Sequence, residues 1–371
     1  MIRKLFATGI LMCATFVSMA QVNTSSLETF TDTTSILQQT DETAKKPSLN
    51  ISGSADVYYR YDFKKQAGNN RTSFTGTHNA FSLGMASVKF EHTSSKVGVV
   101  ADLGFGNRAE EFSYNDNGLL SAVKQLYITY SPAKDFKLTA GTWATHVGYE
   151  LLDPQLNRNY SMSYLFTNGP FSHTGLKAEL TKGKHTFMAG ISNATDYRVP
   201  PEGQINKKFF IAQYVLTASD AVKLYLNYVG GKAPDTSVVN QYDLVATAVV
   251  SKQFNIGLNA SLNRTQLWDA GSKTNVKGQD WWGVAGYFNY DPKAWLGLTL
   301  RSELFNDDKG MKGFYTSIFA NTLSANFKVD GFTFIPELRI ESAGKAIYAD
   351  ENGTLNQKTA ASFILAAVYK F

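Results

Sequence analysis

The chain has 371 residues, with 36 lysines and arginines, 31 aspartates and glutamates, five histidines and a single cysteine. One cysteine excludes a disulfide framework, a cysteine zinc site and an iron–sulfur cluster. A net charge of +5 is too weak and too dispersed to predict nucleic-acid binding. Charged residues are 18% of the chain, below the ~25% of an average soluble protein. After residue 20, no segment approaches the ~18 consecutive apolar residues that a membrane-spanning helix needs.

The first twenty residues have the pattern of a Sec signal peptide. Arg3 and Lys4 form a basic start, an apolar stretch follows, and Ser18-Met19-Ala20 is a small-x-small cleavage site, as export signals require. An N-terminal anchor helix is the alternative, and it is disfavoured because the apolar run is short. A lipoprotein signal ending at Cys13 is disfavoured because Met12 stands where that signal has a small residue.

The next segment, 21–47, is rich in threonine, serine and glutamine, a composition that cannot bury a core. We therefore divide the chain into a signal peptide at 1–20, a flexible periplasmic tail at 21–47 and a single folded domain at 48–371.

From Leu49 onward, apolar and polar residues alternate with period two, which is typical of strands with two different faces. The segments 222–228 and 254–263 show this pattern clearly. The strands run about 9–14 residues, longer than the ~5–6 of soluble sheets and matched to a tilted strand that crosses a bilayer. Sixteen strands are predicted, over 49–62, 80–91, 96–105, 121–131, 135–143, 172–181, 184–193, 207–218, 221–231, 239–251, 252–264, 280–291, 294–306, 312–329, 330–342 and 358–371.

The connections between these strands alternate between long and short. The even ones are tight, such as Pro132-Ala133-Lys134 and Asp330-Gly331, whereas the odd ones are mostly long, the longest being 144–171. All turns then lie at one end of the sheet and all loops at the other, which a Greek-key sandwich has no reason to produce. The pattern predicts an all-β fold: a single transmembrane antiparallel up-and-down β-barrel of about 16 strands, with short periplasmic turns and long external loops.

The tryptophans fall near predicted strand ends, where membrane barrels collect aromatic side chains in interfacial girdles. A buried core position is the alternative for each. The girdle interpretation is favoured for all five: Trp143, Trp268, Trp281, Trp282 and Trp295.

The last strand ends in an aromatic residue. Such an end is similar to the terminal-strand signature that the barrel-assembly machinery of Gram-negative outer membranes reads. We predict an assembly signal on one face of this strand, at Phe363, Leu365, Tyr369 and Phe371.

The middle of the chain resembles the OmpL-like beta-barrel porins (outer-membrane porin-2 type), a family common among Bacteroidetes-type bacteria. The resemblance covers most of 49–371 and implies a porin-like pore without settling its selectivity. Its motifs are Gly141-Thr142-Trp143, Gly148-Tyr149-Glu150, Asn159-Tyr160-Ser161, Gly169-Pro170-Phe171, Thr174-Gly175, Gly190-Ile191-Ser192-Asn193 and Asp196.

The polar face of each predicted strand should point into the lumen of such a barrel. Two interpretations of its charges stay open: ion pairs that brace the wall from inside, or opposed rows that set a transverse field across the pore. The near balance of signs argues against strong ion selectivity. The lumen charges are predicted at Arg60, Lys137, Lys177, Glu179, Lys223, Arg301, Glu303, Glu337, Arg339 and Glu341.

The loop 144–171 is the third external loop by count, and in sixteen-stranded general porins that loop folds inward and narrows the pore. The alternative is an exposed loop that packs on its neighbours. The candidates for a pore constriction are His146, Tyr149, Glu150, Asp153, Arg158 and Tyr160.

These observations predict an outer-membrane porin that passes small polar solutes and ions by passive diffusion. A substrate-specific channel for an anion or an oligosaccharide, and a plugged binding or structural barrel, are the alternatives. No set of nucleophile, base and orienting residue is found, so an enzyme is not expected, and no cofactor is implied. The expected partners are outer-membrane lipid, lipopolysaccharide, the barrel-assembly machinery and small polar solutes, not nucleic acid, and a homo-oligomer stays open.

Overall fold

A computed structural model describes residues 48–203 and 207–371, and there the chain forms one closed antiparallel barrel in which each strand pairs with its neighbours in sequence. The predicted signal peptide, 1–20, and the predicted tail, 21–47, lie outside the described residues. The sixteen barrel strands are β1 Ser48–Asp62, β2 Ala80–Thr93, β3 Val97–Phe105, β4 Val123–Ala133, β5 Phe136–Ala144, β6 Ser172–Lys182, β7 His185–Ser192, β8 Phe209–Ser219, β9 Val222–Lys232, β10 Val238–Val249, β11 Phe254–Gln266, β12 Gln279–Lys293, β13 Leu296–Asn306, β14 Ser317–Val329, β15 Phe332–Ala343 and β16 Thr359–Lys370.

The barrel has an apolar outside and a polar inside, as the period-two pattern predicts. On β13, Leu300 and Leu304 are each 38% exposed on the outer face, while Arg301 and Glu303 between them are buried. Leaving a leucine side chain in water forfeits ~1.5–3 kcal/mol relative to an apolar environment. Because this exposure recurs on strand after strand, the outer wall requires an apolar solvent, which is the property of a transmembrane barrel.

The first and last strands close the barrel. β1 pairs with β16 from Ser54 opposite Lys370 to Asp62 opposite Ser362. The terminal Phe371 exchanges two backbone hydrogen bonds with Gly53, of 3.0 and 3.1 Å. The chain end is therefore part of the closing seam.

The short turns lie at one end of the barrel and the long loops at the other. The β14–β15 turn shows why the sequence could predict this: Asp330 and Gly331 have φ angles of 45° and 82°, the geometry of a type I′ hairpin that favours this residue pair. The loops are numbered in chain order: L1 63–79, L2 106–122, L3 145–171, L4 193–208, L5 233–237, L6 267–278, L7 307–316 and L8 344–358.

The loops carry short elements of their own. L2 contains helix α1 Asn107–Phe112, and L3 contains helix α2 Tyr164–Asn168. L6 and L8 each contain a two-stranded hairpin. Across 48–203 and 207–371, no helix has the length and apolar character to span a bilayer.

Two of the five tryptophan predictions are wrong. Trp143 and Trp281 point into the barrel, where they are 3% and 0% exposed and pack in apolar clusters. Trp268, Trp282 and Trp295 are 38–54% exposed, as an interfacial position requires. The physical reason is that the loop end of this barrel is filled by inward-folded loops, which offer an aromatic ring at a strand end a second apolar environment besides the interface.

Candidate functional site

The loop L3 leaves the end of β5, folds into the barrel and returns to the start of β6. Its hydrogen bonds reach strands around most of the wall: β1, β4, β8, β9, β10, β12, β13, β14 and β15. A loop held at so many points is a fixed part of the interior.

The first part of L3 runs along the inner face of β8 to β12. The Gly148 amide donates to Asp243 Oδ1 at 3.0 Å, and Gln213 Nε2 donates to the His146 carbonyl at 3.3 Å. The ring of Tyr149 stacks on Tyr287 with 3.9 Å between centroids. Gly148 has a φ of +93°, which only glycine adopts without strain, so the loop can bend toward the wall here.

The centre of L3 is fastened by a buried arginine. Arg301 on β13 donates to Glu150 Oε1 at 2.5 Å and to the carbonyls of Ser161 and Met162 at 2.7 and 3.2 Å. Glu150 Oε2 accepts the Ser163 amide at 2.7 Å. One guanidinium therefore joins both limbs of the loop to the wall.

The same arginine begins a chain of buried ion pairs along the inner wall. Arg301 lies 3.4 Å from Glu303, Arg339 lies 3.2 Å from Glu303, and Arg339 lies 2.8 Å from Glu341. Arg339 also donates to the Met162 carbonyl at 2.9 Å. Alternating charges and loop carbonyls thus supply partners for most polar atoms of this row, as buried charges require.

On the opposite wall, Lys124 of β4 holds the loop. Its ammonium lies 2.5 Å from Asp153 Oδ1 and 3.0 Å from Asp102 Oδ1. Arg108 of α1 donates to the carbonyls of Leu152 and Tyr160 at 3.1 and 3.2 Å. L2 and L3 are thus joined to each other by this arginine.

The tip of L3 lies deep in the barrel. Arg158 forms a bidentate pair with Asp291, next to the β12–β13 turn, and its carbonyl accepts from Asn326 near the turn end of β14 at 2.9 Å. The Tyr160 amide donates to Glu337 at 2.7 Å, and its hydroxyl donates to Asp56 on β1 at 2.5 Å. L3 therefore reaches from the loop end nearly to the turn end.

Burial changes the acid–base properties of L3. It raises the pKa of Tyr149 to about 12 and that of Tyr160 well above the usual range for tyrosine, so both phenols stay neutral. Burial and the nearby Lys177 charge lower the pKa of His146 to about 4. The His146 ring is accordingly neutral at pH 7.

The model of the "Putative beta-barrel porin-2, OmpL-like" family matches residues 48–371, which is all of the barrel. The chain belongs to this porin family. No curated protein matches the sequence.

Solved structures share the porin architecture at low sequence identity. The outer membrane channel DcaP of Acinetobacter baumannii superimposes with a TM-score of 0.57 at 11% identity, covering 88% of this chain and 97% of that one. An anion-selective porin from Comamonas acidovorans gives 0.59 at 8% identity, covering 88% and 100%. OmpT of Vibrio cholerae gives 0.55 at 10% identity, covering 89% and 99%. At these identities the likeness concerns the fold alone.

The predicted lumen charges of this porin all lie on inward-facing strand positions, but most do not face open space. Seven are at most 5% exposed, and six of these lie where L1, L3 and neighbouring wall residues cover them: Arg60, Arg301, Glu303, Glu337, Arg339 and Glu341. Lys137 and Lys177 on the other wall are 17% and 13% exposed and flank the buried Glu179, and Lys223 is partly buried.

The constriction candidates are all inside the barrel, but they differ in access. Glu150 and Tyr160 are buried against the wall. His146, Tyr149, Asp153 and Arg158 are partly exposed. Their role in a constriction stays a prediction.

Sequence reasoning did not single out three of the anchors. Lys124 is not among the predicted inward charges, because it precedes the clear alternation of β4. Asp291 stands beside a turn proline and Arg108 lies in a loop, positions that carry no signal for an interior contact.

Proposed function

We propose that this porin is a passive diffusion channel for small polar solutes and ions, and that L3 sets the width of its lumen. The observation that supports a constriction is the course of L3, whose hydrogen bonds cross from Asp243 on β10 to Lys124 on β4 and Asp56 on β1. A segment fixed at opposite walls divides the cross-section and limits the size of a solute.

We infer that the remaining space lies beside β2, β5 and β6, whose inward charges keep partial exposure. This wall carries inward groups with partial exposure: Lys89 and Glu91, which pair at 2.7 Å, together with Lys137 and Lys177. On the opposite wall, charged residues of both signs form hydrogen bonds and ion pairs with L3. Solutes would therefore pass on the lysine-bearing side.

The direct test is single-channel recording of the purified protein in a planar bilayer under a salt gradient. A water-filled pore gives discrete ohmic steps, and its reversal potential reports ion preference. A variant that lacks the L3 tip, with 153–159 replaced by Gly-Ser-Gly, should conduct more than the parent. Equal conductance of the two would reject L3 as the constriction, and silence from folded barrels would reject the channel.

A plugged binding or structural barrel is the second candidate, and the cover over the six wall charges favours it. Here L1, L2 and L3 share one apolar cluster inside the barrel, which includes Phe74, Phe112, Met162, Phe166 and Phe171. The same recordings separate the two functions, because a plugged barrel folds without conducting.

We propose that the protein reaches the outer membrane by Sec export and that its last strand is presented to the barrel-assembly machinery. Phe363, Leu365 and Tyr369 share the outward face of β16, and Phe371 follows directly. The expected environment is outer-membrane lipid with lipopolysaccharide. A trimeric form of OmpT has the same fold, and a homo-oligomer is tested by cross-linking in native membranes.

A further inference from the structure

Two facing glycines interrupt the row of inward side chains between β5 and β6. Trp143 stands opposite His173, then Gly141 opposite Gly175, then Thr139 opposite Lys177. The glycine pair has no side chains, so two rings lie on one side of the pair and an ammonium group on the other. A Cβ atom at Gly175 would lie 2.1 Å from the Ile191 carbonyl oxygen, so only glycine fits there.

The first residues of L3 cover these facing glycines from the loop end of the barrel. Thr145 Oγ1 lies 3.0 Å from His173 Nε2 and accepts the Val147 amide at 3.1 Å. His146 packs on His173 with 5.1 Å between ring centroids, and its Nε2 donates to the Tyr228 carbonyl at 3.3 Å. We call the site formed by Trp143, His146, His173 and Lys177 the β5–β6 niche.

Two polar atoms in this niche have no hydrogen-bond partner within the described ranges: Trp143 Nε1 and His173 Nδ1. Trp143 and His173 are only 3% and 1% exposed. A buried polar group without a partner costs ~1–3 kcal/mol, and folded proteins nearly always supply a partner, a water or a ligand. Two such atoms on residues that face each other across β5 and β6 indicate a missing polar occupant.

The charged group of the niche is the Lys177 ammonium. Lys177 Nζ lies 5.1 Å from the centroid of the Trp143 ring and 3.8 Å from Glu179 Oε2. The same carboxylate oxygen lies 3.0 Å from Lys137, so two ammonium groups share one carboxylate.

The surroundings of the niche strengthen this charge. Val147, Met188, Ile211 and Val229 are buried in the same apolar cluster as Trp143, and an apolar environment increases the attraction between the ammonium and an anion. Lys177 itself is 13% exposed, so an ion can reach it from the lumen.

The donors suit oxygen atoms. Trp143 Nε1 can only donate. We assign the Thr145 hydroxyl proton to the bond with His173 Nε2, which leaves the proton of the neutral His173 ring on Nδ1. An ammonium, an indole N–H and an imidazole N–H around one small space are the donor set for a carboxylate or phosphate group.

We propose that the β5–β6 niche binds a small oxyanion and gives the channel an anion subsite near the loop end of its lysine-bearing wall. Transport through this subsite rests on the proposed channel function, whereas binding does not.

Binding is measured first, on the folded full-length barrel in detergent. Potassium phosphate and potassium acetate are titrated at constant ionic strength against chloride, with tryptophan fluorescence as the signal. We expect a saturable change that is lost in Trp143→Phe. In Lys177→Gln the apparent dissociation constant should rise at least about tenfold, because one charged hydrogen bond is removed.

Lys223→Gln is the matched control, since it removes an inward lysine from the turn end of β9, outside the niche. It should leave the titration unchanged. Absence of a saturable signal with both oxyanions would mean that water fills the niche and would overturn the proposal. An equal response of Lys177→Gln and the parent would overturn it as well.

Bilayer recordings separate failure of the subsite from failure of the channel. In a conducting barrel, phosphate should reduce the chloride current in a saturable way in the parent and in Lys223→Gln, but not in Lys177→Gln. If the parent conducts but phosphate does not block its current, the proposed anion subsite is wrong and the proposed channel function stands. Saturable binding in detergent by a barrel that never conducts rejects the channel and keeps the niche.

Discussion

The contact between Arg301 and L3 makes a prediction that can be worked through from the structure. Arg301 is fully buried and donates to Glu150 and to the carbonyls of Ser161 and Met162. In Arg301→Met, a side chain of similar length loses these bonds, and Glu150 and Glu303 are left without their shared counter-charge.

The expected magnitude is large. Removing one partner of a buried ion pair costs about 3–5 kcal/mol, and each ~1.4 kcal/mol is a factor of ten in an equilibrium. The fraction of barrels with a detached L3 should therefore rise by about a hundred-fold to a few thousand-fold. The wall of β13 keeps its strand pairing, so we expect a folded barrel with a mobile loop.

The assay is single-channel recording combined with the heat-modifiable mobility of the barrel in electrophoresis. Arg301→Met should show added current steps or flicker and a larger mean conductance. Arg264→Met is the matched control, because Arg264 pairs with Asp280 at an exposed site, where an ion pair contributes only ~0–1 kcal/mol. Identical current traces for Arg301→Met and Arg264→Met would refute the reasoning that this arginine fastens L3.

Three further predictions concern the barrel itself. Gly175→Ala should lower the free energy of unfolding by about 1–3 kcal/mol, because its methyl group meets the Ile191 carbonyl. Gly286→Ala is the control, since its methyl group has 3.4 Å of clearance on the outer face. Denaturant titration in detergent compares the two variants, and equal unfolding midpoints would contradict the packing argument. Deleting Phe371 removes both backbone bonds to Gly53 and should reduce the folded fraction recovered from outer membranes, with Lys370→Gln as control; equal recovery would count against a role of the terminal residue. The lowered pKa of His146, about 4, arises from burial and then from Lys177, so the folded state binds fewer protons than the unfolded state between pH 4 and its ordinary value of 6.5. The contribution of His146 to stability is therefore complete above pH 6.5 and is lost as the pH falls toward 4. The loss of stability with falling pH should be smaller in His146→Gln, in which Lys177, His173 and the Tyr228 carbonyl still face the site. Parallel plots of stability against pH for the two proteins would exclude the titration of His146 as the cause of the loss.

Local sequence patterns predicted most of the barrel architecture. The alternation over 254–263 predicted β11, and Asp330-Gly331 predicted the β14–β15 turn, because side-chain direction and turn geometry depend on a few adjacent residues. The exact strand ends were less accurate: β14 begins at Ser317, not at 312, because Asp307 accepts the amides of Lys312 and Phe314 and holds that segment in L7.

The site was predicted only in outline. Loop length and position indicated that 144–171 folds inward, and Glu150 was predicted as a constriction residue. Its partner Arg301 lies 151 residues away in the sequence, and no period or motif connects two such residues. The same holds for Lys124 with Asp153 and for Arg158 with Asp291.

The amino-acid sequence by itself determined which side chains face outward and which face inward, because that choice follows from a two-residue repeat in an apolar solvent. It also determined which end of the barrel carries the loops. Only the tertiary structure decided which inward charges face water and which lie beneath L3. That distinction depends on where a folded loop touches the wall, and those contacts join residues that are distant along the chain.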